Sequence, residues 1–186
     1  MRKKLLSGIV SFAVLASLLA VSMVFAKVDM ENRGGGKHKG QAGKSNIAHL
    51  YLYEKDPSTW EIVGDGAWGK MKYNLAGSTF DFVFNGHSLE PTTGYTLIYY
   101  ADPWPGNNPG AFIAGGTTND EGDIHLMGSV DLKMNLPDPG DANYLAGAKI
   151  WLILSSDYDA GALKMTAWHP TEYLFEHNLI TFDDTD

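Results

Sequence analysis

The sequence predicts an all-β domain, and three observations predict it. The hydrophobic runs are short and broken by Gly, Pro, Asn and Asp at the intervals of a sandwich or barrel. Several runs alternate apolar and polar residues with period two, most cleanly at Phe80, Phe82 and Phe84. No long segment carries the 3.6-residue period of an amphipathic helix. About nine short strands then give an antiparallel β-sandwich, in a jelly-roll or Ig-like variant, with an open barrel as another closure and one short C-terminal helix.

The elements follow in order. Ile47–Glu54 is a first strand, ended by the Asp56-Pro57-Ser58 turn. Trp60–Val63 is a short strand before the Gly64-Asp65-Gly66 turn. Ala67–Asn74 alternates, and Ser78–Asn85 carries the Phe80, Phe82, Phe84 face, with Asn85-Gly86 expected as the next turn. Gly94–Ala101 is rich in β-branched and aromatic residues, and Ala111–Gly115 is a weaker strand. Asp123–Leu132 points Ile124, Leu126, Gly128, Val130 and Leu132 inward. Gly147–Ser155 is apolar on both faces after Lys149, which predicts a central strand covered on both sides. Leu163–Trp168 and Asn178–Phe182 are closing strands. Between them, Pro170 at a first turn and Glu172 near the positive end predict a short helix to about His177.

Residues 46–186 thus form one β domain, and what precedes them has different chemistry. Arg2, Lys3 and Lys4 lead an uncharged run, Leu5–Ala26, ending Val24-Phe25-Ala26 as a signal peptidase reads it. Residues 1–26 are therefore expected to be a signal peptide cleaved after Ala26, with an uncleaved membrane anchor as the alternative. Residues 27–45 are a Gly- and Lys-rich linker with almost no large apolar side chain to offset its ordering entropy. The linker carries +3, whereas residues 46–186 hold six Lys and no Arg against twenty Asp and Glu, −14. A basic arm thus precedes a strongly acidic body. The arm suits a solvated tether or an anionic surface such as lipid headgroups.

Composition also excludes classes of function. With no Cys, the chain has no disulfide framework, thiolate zinc site or cysteine nucleophile. Nucleic acid is excluded as the main partner, because phosphate neutralisation needs clustered Lys and Arg. The His residues lack the paired spacing of a zinc site, and no G-x-S-x-G elbow or phosphate-binding loop occurs.

Two segments carry candidate binding chemistry. The first is the aromatic, Pro-rich loop after Tyr99, with Tyr100, Asp102, Trp104, Asn107 and Asn108 as candidate ligand-binding residues. Flat rings stack on the apolar C–H face of a sugar, while Asp and Asn bond its hydroxyls. Trp104 folded back to cap the core is the competing role. The second is the acidic loop with Asn119, Asp120, Glu121 and Asp123, which offers the oxygen ligands that Ca2+ takes, without EF-hand spacing. Asp and Asn as turn formers explain the same residues. Trp60 and Trp68 flank a glycine turn and suit core packing or a second aromatic surface. Trp151 is expected in the core, and Trp168 is expected to pin the C-terminal segment.

The sequence therefore predicts a secreted or cell-surface, non-catalytic binding module for a polysaccharide or another small ligand. Ca2+ is the one cofactor its loops suggest. The alternative is a structural protein of the cell envelope that assembles as a homo-oligomer through its sheet edges. An enzyme has least support, because no nucleophile, metal set or acid–base pair stands out. A membrane contact would run only through the leader or the basic arm.

Overall fold

The computed structural model describes residues 45–103 and 110–186. The expected signal peptide and all but the last residue of the linker lie outside the described residues.

The domain is mostly β, as the period-two patterning requires. Eight strands build one antiparallel sheet: β1 (Ile47–Tyr53), β2 (Trp68–Asn74), β4 (Phe80–His87), β5 (Gly94–Tyr100), β6 (Ala111–Thr117), β7 (Ile124–Val130), β8 (Lys149–Leu154) and β11 (Leu174–Glu176). Their order across the sheet is β6-β5-β8-β11-β1-β2-β4-β7. The two end strands, β6 and β7, come alongside each other without a ladder, so the sheet curls nearly into a barrel. A β-carbon on Gly116 of β6 would lie 2.7 Å from Leu126 of β7, which shows how closely the seam is packed. Short pairs finish the fold: β3 (Ala76–Gly77) with β12 (Asp183–Asp184), and β9 (Tyr158–Asp159) with β10 (Lys164–Met165).

One side of each strand faces a single apolar core. Leu50 and Leu52 of β1, Met71 and Tyr73 of β2, Phe80, Phe82 and Phe84 of β4, and Leu126 of β7 are buried, while the residues between them turn outward. Tyr95, Leu97 and Tyr99 of β5 pair with Leu154, Leu152 and Ile150 of β8 across the same core. Glycine makes room where backbone and ring meet: a β-carbon on Gly69 would lie 2.3 Å from Phe84. Gly122, at φ +79°, lets its loop press on Leu89, whose carbonyl oxygen would be 2.1 Å from an added β-carbon.

The strand predicted to be covered on both sides is so covered: β8 is buried from Ile150 to Leu154. Other expectations need correction. One curled sheet stands where two facing sheets were expected. The predicted helix is a single 3₁₀ turn, Pro170–Glu172, followed by strand β11 near the middle of the sheet. Its local helix signals end there because Leu174 and Phe175 gain more by pairing with Leu152 and Trp151 and being buried. Asn85-Gly86 is no turn but the continuation of β4; Gly86 sits opposite Gly69 and packs against Ile124 and Leu89. Trp60–Val63 keeps only the bridge from Ile62 to Lys55, and Asn178–Phe182 only bridges at Ile180 and Phe182.

Candidate functional site

The outer face of β1, β2, β4 and β7 holds a group of outward aromatic and polar side chains with a common register. Alternation turns His49, Tyr51 and Tyr53 of β1 outward, and Trp68, Lys70 and Lys72 of β2 outward beside them. The ladder pairs Tyr53 with Trp68, Tyr51 with Lys70 and His49 with Lys72. Tyr51 and Tyr53 lie nearly parallel, at 11° with ring centroids 6.2 Å apart. Trp68 rests on the next ring across, His87 of β4, at 4.8 Å. The Lys70 ammonium stands 5.3 Å from the centre of the Tyr51 ring, a cation–π contact.

Beyond His87 the strip runs into a groove of about 470 Å³ lined by Asn85, His87, Thr117, Asn119, Asp123 and His125, among others. Two cross-strand hydrogen bonds fix its imidazoles. His87 Nδ1 donates to Asp123 Oδ1 at 2.9 Å, since a carboxylate only accepts. His125 Nδ1 bonds Asn85 Oδ1 at 2.7 Å, directly opposite it in the ladder.

The sequence-predicted calcium loop borders this groove. Asn119 Oδ1 accepts the backbone N–H groups of Glu121 and Asp123, at 3.1 and 2.8 Å, and so shapes the turn itself. Asp123 is held by His87, while Asp120 and Glu121 point to solvent. Among the described residues, no group of three or more His, Asp or Glu is placed to hold a metal ion.

The aromatic loop is described only at its base, and Trp104, Asn107 and Asn108 lie outside the described residues. Tyr100 stacks on Trp151 at 3.8 Å. Burial and then the charge of Asp102 push its hydroxyl up to about 12. Asp102 takes Lys149 and Asn143 on one carboxylate oxygen. Its backbone N–H is bound by Asp141, a buried carboxylate that also accepts the Tyr99 hydroxyl at 2.6 Å. Tyr100 and Asp102 thus anchor the loop to the sheet.

On the other half of the outer surface, loops lay half-exposed rings over the sheet. Over β8 and β11, Trp60 meets Phe175 edge-on at 5.2 Å, and Trp168 leans on Trp151 at 5.7 Å. Trp168 lies edge-on to Tyr173 at 5.5 Å and directly precedes His169, two groups tied together by Asp157. Buried Asp157 accepts bonds from the Tyr173 hydroxyl, His169 Nδ1 at 2.7 Å and Ser156 Oγ at 3.1 Å. Burial alone would raise the Asp157 carboxyl, but these three bonds hold it below its usual range. The hydrogen bond to Asp157, and then its charge, raises His169. Glu176 has no such support. Burial pushes its carboxyl up to about 7, against the partial relief of Lys55, the Trp151 indole and Lys149. Glu176 Oε2 and Trp151 Nε1 are both buried without closing a regular hydrogen bond.

Sequence reasoning placed Trp68 beside a turn and missed its grouping with Tyr51, Tyr53 and His87. The signal was the outward set of two neighbouring strands, which becomes a surface only when their register is known. The chain matches no known family model, no curated protein and no solved structure.

Proposed function

We propose that the protein is a non-catalytic carbohydrate-binding module that works outside the cell, with the outer face of β1, β2 and β4 as its ligand platform. One observation carries the reading: Tyr51 and Trp68 are exposed, half-buried Tyr53 joins them by stacking on Tyr51 and pairing with Trp68, and these outward rings lead into a groove edged with Asn85, Asp123 and His125. A pyranose ring lays its C–H face on such rings, and its hydroxyls find carboxylate, amide and imidazole partners at the edge. The rings stand on a rigid, paired ladder, so binding loses little conformational freedom. The export leader puts such a module where polysaccharides are met. The platform takes over the role that the sequence gave to the Tyr100–Asn108 loop.

Affinity electrophoresis or calorimetry of the full chain against a panel of soluble polysaccharides tests this. Trp68→Ala is expected to weaken retention about tenfold or more while lowering the melting temperature by only a few degrees, because the ring stands on the outer face and not in the core. Retention by no member of the panel, or equal retention of wild type and Trp68→Ala, overturns the reading.

A further inference from the structure

The platform's charge narrows the ligand class, an inference that rests on the carbohydrate reading above. Residues 46–186 hold six Lys and no Arg against twenty Asp and Glu, yet the platform departs from that balance. Three successive outward rungs of the β1–β2 ladder are Tyr53–Trp68, Tyr51–Lys70 and His49–Lys72. Aromatic surface gives way to cations along one straight line of about 13 Å. His49, Lys70 and Lys72 are all exposed, and among the described residues no carboxylate lies within ion-pair distance of either lysine. The acids nearest the ladder are taken up elsewhere: Asp81 of β4 is bonded by Thr79 at 2.9 Å, Glu176 of β11 is largely buried, and Asp123, at the head of β7, is held by His87.

We infer that the platform binds an acidic glycan, a chain of uronate-type units running along the β1–β2 ladder. A sugar ring stacked on Tyr51 meets the Lys70 ammonium, which lies over that ring at 5.3 Å from its centre and swings aside on its flexible stem to admit the sugar. The sugar carboxylate then takes a charge-assisted bond in place of part of the cation–π contact. The next unit along meets Lys72 and His49. The body's charge of −14 does not forbid this, since distant charges are screened over about 8 Å at physiological ionic strength. The groups in direct contact decide the affinity.

The test compares three probes on the full chain by calorimetry: an oligogalacturonate, a neutral cello-oligosaccharide of the same length, and inorganic polyphosphate. Oligogalacturonate is expected to bind tightest. Its affinity should fall about tenfold in the double variant Lys70→Gln, Lys72→Gln and fall again between 0.05 and about 1 M salt. Both lysines are exposed, so the double variant keeps the fold. If the neutral chain binds as well as the uronate, and the double variant changes neither, the acidic class is overturned while the carbohydrate reading stands. If polyphosphate competes equally and Trp68→Ala leaves it bound, the face is a plain anion patch and both fall. Binding of no glycan overturns both as well.

Discussion

The two halves of the sheet's outer surface use the same kinds of residue to opposite ends. Over β8 and β11, the outward residues Trp151 and Phe175 are buried, because Tyr100 of β5 and the half-exposed loop residues Trp60 and Trp168 lie over them. Over β1, β2, β4 and β7, Tyr51, Trp68 and Met127 stay exposed, and the neighbours of the two rings are Lys70 and His87 of the same sheet rather than loop residues laid over them. The difference lies in the connections. The long segments 55–67 and 155–173 fold back on the first half, whereas the β1, β2 and β4 strands follow one another across the second.

The comparison breaks most clearly at the core of the covered half. Leu152 is fully buried between β5 and β11, and Leu152→Ala is expected to cost about 3 kcal/mol, read from chemical denaturation. A loss below 1 kcal/mol would mean that this half is not the close-packed one. Trp68→Ala in the open half serves as its counterpart, with lost binding and little lost stability.

A second contrast is electrostatic. Glu176 has its carboxyl raised to about 7 by burial. Its contribution to stability is therefore full below the ordinary carboxyl range near 4.5 and is lost as pH rises through 7. By linkage the charged form costs about 3 kcal/mol at pH 8. Glu176→Gln should thus leave stability unchanged at pH 4 and raise it by up to that amount at pH 8. An unchanged melting temperature at both pH values would show that the carboxylate is well solvated.

The smallest expected effect belongs to the knot beneath Trp168. His169 is raised by Asp157, so its contribution is complete below about pH 6.5 and fades as pH climbs through its raised value. Asp157 is lowered, so its contribution fades only as pH falls well below 4. The pair is strongest between about pH 4 and 6.5. His169→Gln should shrink the melting-temperature drop between pH 6 and 8 and leave the platform's ligand affinity alone. A profile identical to wild type would remove His169 from the account.

Much of this was legible in the residues. The period-two alternation of Phe80, Phe82 and Phe84 reports a strand with one face in a core, because side chains on a strand alternate whatever the neighbours. The unbroken apolar run Ile150–Leu154 reports burial on both sides for the same reason. The C-terminal segment was not legible: Pro170 and Glu172 are local helix signals, and only the slot between β8 and β1 turns Leu174–Glu176 into a strand. Asn85-Gly86 misled similarly, since a glycine needed for packing looks the same as one needed for a turn.

The sequence by itself determined the acidic β body, the basic charge of residues 1–45, and which residues of each strand share a side, all properties that act within a few residues along the chain. Tertiary structure alone decided the strand order, the curl into a near-barrel and the placing of Tyr51 and Tyr53 beside Trp68 and Lys70. Those depend on register between segments whose contacts cost loop-closure entropy and are chosen by the whole core at once, so no local pattern encodes them.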